Sequence, residues 1–245
     1  LDTNTKPKLF DFSRRARGTE NSHHVRLLWR PCAKMADAEI ESPRSDEDCD
    51  VEQAVADANG TEGVPLNTKW TFWLDRTEGR GISAAEYAAT LKKIYTVDTV
   101  QSFWAVLHHI PDVCELGLRH TYHLMRGLRR PLWEDPENQR GGTWRIRCHK
   151  KHTPVIWREL LLAAIGEQFS EDVRPGDDIC GVSVCVREKD DIVQLWNADA
   201  RLSEGATVLS RVHSLLPQGV TPIAEFYKPH QSRLAYEGSH KKMSR

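Results

Sequence analysis

The stretch RRPLWEDPENQRGGTW, Arg129 to Trp144, sets an indole, Trp133, directly beside two carboxylates, Glu134 and Asp135. Pro131, Pro136, Gly141 and Gly142 bar regular structure, so the stretch reads as a loop. A surface loop exposes what it carries, so a large aromatic there either folds back onto the core or offers a flat face to another molecule. Further along, ICGVSVCVRE and DIVQLWN read as two alternating strands joined by a tight polar turn around Lys189 and Asp190, an antiparallel hairpin. Alternation sends Val182, Val184 and Val186 one way and Ser183, Cys185 and Arg187 the other. With the valines turned toward helices, Arg187 projects from the open face, Lys189 lies close by in the turn, and Trp196 sits toward the end of the partner strand. Each alone has a plain reading: Arg187 and Lys189 as solvated charges, Trp196 as a core residue. Together, aromatics near carboxylates with a basic pair at hand suit a cationic base that carries a phosphate tail.

Such residues need a scaffold, and the chain from Val64 onward supplies one. KWTFWLDR reads as a strand, and VDTVQSFWAVLHHIP as a helix capped near Asp98 or Thr99. In that helix Val100, Phe103, Leu107 and Ile110 fall at helical spacing and Pro111 is a stop. TYHLMRG and TWRIRCH read as strands flanking the tryptophan loop, PVIWRELLLAAIGEQF and GATVLSRVHSLL as helices, and IAEFYKP as a last strand. The expected fold class is α+β: a curved antiparallel sheet with three helices on the convex face and the concave face free to bind.

Composition narrows the function. The chain has 245 residues with 34 basic and 35 acidic side chains, so no global field points to nucleic acid and any phosphate site must be local. Six cysteines without a CxxC pair fit reduced thiols, and a cytoplasmic location is expected. No apolar run approaches the roughly 20 residues of a membrane span, and no membrane partner is expected. Leu1 to Gly63 differs from the rest. Its first part is basic and aperiodic, and the run from Met35 is acidic, rich in small residues and almost without aromatics, so residues 1–63 are expected to be disordered. The chain opens with Leu rather than Met, which fits a fragment or a conceptual translation, and an authentic start at Met35 stays open. Residues 64–230 are expected to form one binding domain and 231–245 a flexible tail.

Residues Pro65 to Pro229 resemble the cytoplasmic cap-binding initiation factor 4E family. The signatures are PLNTKWTFW, DTVQSFW, RPLWEDPENQRGGTW, WRELLLAAIGEQF and VCVREKDDIVQLWN, in the family's order. The runs LKKIYTVDTVQSFW and HLMRGLRRPLWE look most like its class III branch. The resemblance implies binding of the 7-methylguanosine cap of messenger RNA, in or against translation initiation. Trp133 would be one stacking wall, Glu134 the acceptor for the guanine Watson–Crick edge and Trp196 the neighbour of the N7-methyl group. Arg187 and Lys189 would hold the cap phosphates. Two positions depart from the pattern: Tyr87 stands where the family usually has the second stacking tryptophan, and Ile192 where it has a further phosphate-site lysine. A non-aromatic residue is common at the first of these in class III, so Tyr87 reads either as a restored wall or as a residue packed on its own domain.

The resemblance also implies a second surface, a convex platform on which a 4G-type scaffold or a 4E-binding protein lays a helix. Pro65, Val100, Trp104, Glu159 and Leu162 match it, with Arg158 in place of the usual leucine; Trp104 reads equally as a core residue. A monomer is expected. CHKKH, Cys148 to His152, reads as a solvated loop rather than a metal site, and no cofactor is expected. With no cluster of carboxylates for magnesium and no activated nucleophile, the reading is a binding protein rather than an enzyme. A fold kept as an interaction scaffold, with weak or no cap binding, is the alternative.

Overall fold

The computed structural model describes residues 47–58, 63–76 and 84–231. Its centre is one seven-stranded sheet built from β1 (Pro65–Asp75), β2 (Leu91–Thr99), β3 (Thr121–Arg126), β4 (Gly142–His149), β5 (Ile179–Cys185), β6 (Asp190–Asn197) and β7 (Ala224–Pro229). The strands run in the order β2-β1-β3-β5-β6-β4-β7, every neighbouring pair antiparallel. The sheet is curved and open.

Side-chain alternation divides it into two faces. Trp70, Phe72 and Leu74 of β1, Leu124 of β3, Val182 and Val184 of β5, Val193 and Leu195 of β6 and Ile146 of β4 all enter one large core. Helices close that core. α3 (Val100–His109) packs on β2, and α4 (Thr153–Ile165) on β1, β5 and β6, with α5 (Val208–Leu215) against α4. α4 is apolar nearly all round, with Ile156, Trp157, Leu160, Leu161 and Ala164 buried, as expected of a helix lying across the middle of a sheet. Within α3 the buried residues are Ser102, Phe103 and Val106, so the apolar stripe centres on Phe103 and Val106 while Val100 and Leu107 are only half-buried.

Three elements depart from the sequence reading. Leu91–Thr99 is a strand, the sheet's edge, and α2 (Ala84–Thr90) precedes it; the sequence reading assigned neither. The third is α1 (Glu47–Ala58), inside the stretch expected to be disordered. Val51 and Val55, one turn apart, are buried in the main core, and α1 packs on α3 and β2. Composition argued against order there, but tertiary support decides whether so short a helix forms. Five α-helices are thus present among the described residues instead of three. The rest of residues 1–63 and the tail lie largely outside the described residues. No helix among the described residues is long and apolar enough to cross a membrane.

The start of α3 is defined chemically. Thr99, in extended geometry, accepts the Ser102 backbone N–H at 3.0 Å, and the Ser102 hydroxyl oxygen accepts the Thr99 N–H at 3.1 Å, a reciprocal capping box. Thr99→Ala is expected to cost about 1 kcal/mol in urea unfolding, with Thr99→Ser near wild type.

Candidate functional site

β3 and β4 are consecutive in sequence but not in the sheet: β5 and β6 lie between them. The intervening loop must therefore traverse the sheet's end, and it carries Trp133 and Glu134 as it does so. Asn138 holds the loop together. It is buried, and its side-chain amide donates to the carbonyls of Arg130 at 2.8 Å and Leu132 at 2.7 Å, one on each side of Pro131. Gln139 donates to the Glu134 carbonyl at 2.5 Å, and Arg130 pairs with Asp135 at 3.6 Å. The loop closes on Gly141 and Gly142. A Cβ at Gly141 would stand 2.0 Å from the Asn197 carbonyl oxygen, and one at Gly142 would stand 2.2 Å from the Tyr227 hydroxyl. Only glycine permits this approach to β6 and β7.

The face of the sheet opposite the helices has a small core of its own, made of Met125, Cys180 and Trp196 with Trp73 packed against it. A bulge in β5 between Ile179 and Gly181 brings Cys180 into this group. Trp196 lies between two imidazoles. The His123 ring meets it edge-on at 6.4 Å and 73°, and the His230 ring at 4.9 Å and 64°. The Trp196 indole N–H donates to Ser183 Oγ at 2.8 Å, and His123 Nδ1 lies 2.7 Å from the same oxygen. On the other side, His230 Nδ1 lies 2.8 Å from the Asn138 carbonyl, and the His230 N–H donates to the Gly141 carbonyl at 3.0 Å. The Trp196 floor and the Trp133 loop are thereby tied into one unit.

Two titratable groups of this floor, His123 and Cys180, are uncharged at neutral pH. Burial pulls the His123 pKa down to about 3 and pushes the Cys180 thiol up to about 12. Charge enters only at its margins. Arg187 and Lys189 are exposed at the β5–β6 turn, and buried Asp191 shapes that turn. Asp191 accepts the Arg187 N–H at 2.9 Å, Lys150 Nζ at 2.9 Å and the Thr153 hydroxyl at 2.9 Å, while Lys150 also donates to the Arg187 carbonyl at 2.5 Å. The Arg187 main chain is pinned at both ends and its guanidinium reaches outward. Ile192 shares a face with Trp196, and its cross-strand neighbour is Arg147.

Tyr87 is half-buried on α2, its carbonyl accepting the Thr90 hydroxyl at 2.8 Å, and α2 packs on edge strand β2. The five platform residues lie around α3 and α4. The Val64 carbonyl accepts the Val100 N–H at 2.9 Å, which sets Pro65 beside the start of α3. Trp104 is half-buried, its ring stacked on His108 at 5.4 Å. Glu159 and Leu162 lie on α4, and Arg158 pairs with Glu159 at 3.3 Å. The sequence reading placed Ser183 on the face opposite the valines without giving it a role, and it did not single out His123, Asn138 or His230. A polar residue alternating with the apolar ones of TYHLMR was a signal for His123. None existed for His230, whose partners are 34 and 92 residues away in the chain.

A sheet with helices on one face, and on the other an aromatic floor bordered by the loop of Trp133 and Glu134 and by the turn of Arg187 and Lys189, makes an α+β fold with one face left open. The chain belongs to the eukaryotic initiation factor 4E family, whose model matches residues 65–244. It is 35% identical to initiation factor 4E-1 of Triticum aestivum over 171 residues, 70% of this chain and 76% of that one. It is 40% identical to initiation factor isoform 4E-2 of Zea mays over 136 residues, 55% of this chain and 61% of that one. Among solved structures it resembles C. elegans eIF4E-3, in complex with the 4E-binding protein Mextli and a cap analog, at a TM-score of 0.61 and 31% identity, covering 71% of this chain and 96% of that one. It also resembles Ascaris suum eIF4E-3 with the m2,2,7G cap, at a TM-score of 0.56 and 29% identity, covering 67% of this chain and 98% of that one.

The depressed His123 pKa has a consequence for stability. Unfolded, the imidazole takes up a proton near pH 6.5; folded, it resists protonation down to about pH 3. Its contribution is therefore complete above pH 6.5 and is lost as pH falls from there through 3. Urea unfolding at pH 7 and pH 4.5 should differ by roughly 2–3 kcal/mol from this residue, and His123→Asn should remove that part of the pH dependence.

Proposed function

We propose that this chain binds the 7-methylguanosine cap of messenger RNA and acts in translation initiation, promoting it or competing with the main factor for capped messages. The observation that carries this reading is His230: it touches Trp196 with its ring and the Asn138 carbonyl with Nδ1, so the aromatic floor and the loop of Trp133 and Glu134 form one construction. Family membership supports it, as do the related nematode proteins solved with a cap analog or the m2,2,7G cap.

In this reading the methylated base, which is positively charged, stacks on the Trp133 indole, adding cation–π attraction to dispersion. Glu134 accepts from guanine N1–H and the N2 amino group, a bidentate charge-assisted contact that adenine cannot reproduce. The Trp133 backbone N–H reaches O6, and Trp196 lies beside the N7-methyl group on a floor whose neutral groups do not repel a cation. Arg187 and Lys189 meet the phosphates, and Tyr87 is the second wall. On the opposite face, a 4G-type scaffold or a 4E-binding protein docks through Pro65, Val100, Trp104, Glu159 and Leu162. The related C. elegans protein solved with the 4E-binding protein Mextli supports this.

The deciding experiment is fluorescence quenching by a 7-methylguanosine nucleotide. A saturable response is expected. The scaffold alternative, which draws on Ile192 and on the placement of Tyr87 beside the edge strand, requires none. Glu134→Ala is expected to weaken cap binding by roughly 1–3 kcal/mol and to erode discrimination against adenine analogues; equal affinity in mutant and wild type rules out its role.

Affinity should also rise from the mono- to the triphosphate analogue and fall with added salt if Arg187 and Lys189 hold the phosphates. Tyr87→Ala should cost about 1–3 kcal/mol and Tyr87→Trp little or nothing if the stack has two walls. Wild-type affinity in Tyr87→Ala leaves Trp133 as the sole wall.

A further inference from the structure

We infer that His123 and Ser183 form a hydrogen-bond relay that positions Trp196 for the base; this rests on the cap-binding reading above. The three residues come from three different strands of the open face. His123 and Ser183 are directly opposed across β3 and β5, and Trp196 is opposite Gly181, two residues along β5 and on the same face as Ser183. The missing side chain at Gly181 leaves room for Met125, whose Sδ would stand 2.4 Å from a Cβ there. With Met125 filling that space, the Trp196 indole leans diagonally to Ser183.

The relay has a definite direction. The indole N–H is only a donor, so Ser183 Oγ must accept from it at 2.8 Å. The single Ser183 hydroxyl hydrogen is then free to point at His123 Nδ1, 2.7 Å away, which accepts it as long as the imidazole is neutral. Burial keeps it neutral. In this relay the ring proton sits on Nε2, which is buried and has no hydrogen-bond partner among the described residues. An orphaned buried donor is destabilising. A strand facing an apolar cluster of Met125, Cys180 and Trp196 would be better served energetically by a hydrophobic residue at position 123. The imidazole does what a leucine cannot, holding the Ser183 lone pair toward the indole. Trp196 is thus fixed by a directional bond on its N–H edge and by the two histidine rings, and its plane is set before any ligand arrives.

The test uses the full chain and two independent readouts. The first needs no ligand: hydrogen exchange of the Trp196 indole N–H, followed by NMR, in wild type, Ser183→Ala, Ser183→Thr, His123→Leu and His123→Asn. The second is fluorescence titration of each with 7-methylguanosine triphosphate and with unmethylated GTP. Expected are faster indole exchange and about tenfold weaker binding of the methylated nucleotide in Ser183→Ala and His123→Leu, the scale of one lost buried hydrogen bond. Ser183→Thr keeps the hydroxyl, and His123→Asn keeps an acceptor near Nδ1, so both should restore exchange protection and affinity. His123→Leu should unfold at the same or higher urea concentration, which separates positioning from folding. Unchanged indole exchange in Ser183→Ala overturns the relay. Faster exchange with wild-type affinity overturns its positioning role. A wild type that binds neither nucleotide overturns the cap-binding reading and the positioning role with it, while the exchange result still judges the hydrogen bonds themselves.

Discussion

A sheet buried under helices on one side can give those helices only every second residue of each strand, and most of this structure follows from that limit. Trp70, Phe72, Leu124, Val182, Val184, Val193 and Leu195 are consumed by the core under α3 and α4. Trp73, His123, Met125, Ser183 and Trp196 occupy the alternate positions and have to make an environment without helices. They do so as a small cluster in which one serine and two histidines supply the hydrogen bonds and edge contacts that a second layer of helices would otherwise replace. A one-residue slip in any of these strands would exchange the two sets, so the site and the core share one register.

The open face separates chemistries that would interfere if mixed. Its floor is aromatic, and burial holds its His123 and Cys180 in their uncharged forms. The carboxylate of Glu134 belongs to a loop bound internally by Asn138, and the cations belong to a turn whose main chain is fixed by Asp191 and Lys150. Glu134 and the Arg187–Lys189 pair thus belong to different elements, and neither His123 nor Cys180 of the floor carries a charge with which either could pair. His230 is the joint, since it contacts both Trp196 and the main chain of the loop.

The helical side has its own asymmetry. α4 is sunk into the sheet, whereas α3 lies at its edge on β2 and is itself covered in part by α1. Val51 and Val55 are the α1 side chains taken into the core, each contributing about 1.5–3 kcal/mol on full burial. α1 borders the helix that carries Val100 and Trp104.

Local pattern was enough to read β1, β3 to β7 and α3 to α5, because period-two and period-3.6 alternation, the Thr99 cap and the glycine and proline breaks act over a few residues. The same alternation led to the expectation that Arg187 projects from the open face, and the prolines and glycines around Trp133 to the expectation of a loop whose indole either folds back onto the core or offers a flat face. It misread what depends on distant partners. α1 is ordered by α3, not by its own composition; β2 becomes a strand by pairing along β1, which its lysines disguised. The separation of β3 from β4 by the β5–β6 hairpin is a choice of sheet order that no local signal encodes, and it is what swings the Trp133 loop toward Trp196. His123, Ser183 and Trp196 lie 60 and 13 residues apart along the chain. Each looks unremarkable alone, and only the lateral registry of three strands brings the imidazole, the hydroxyl and the indole within hydrogen-bonding distance.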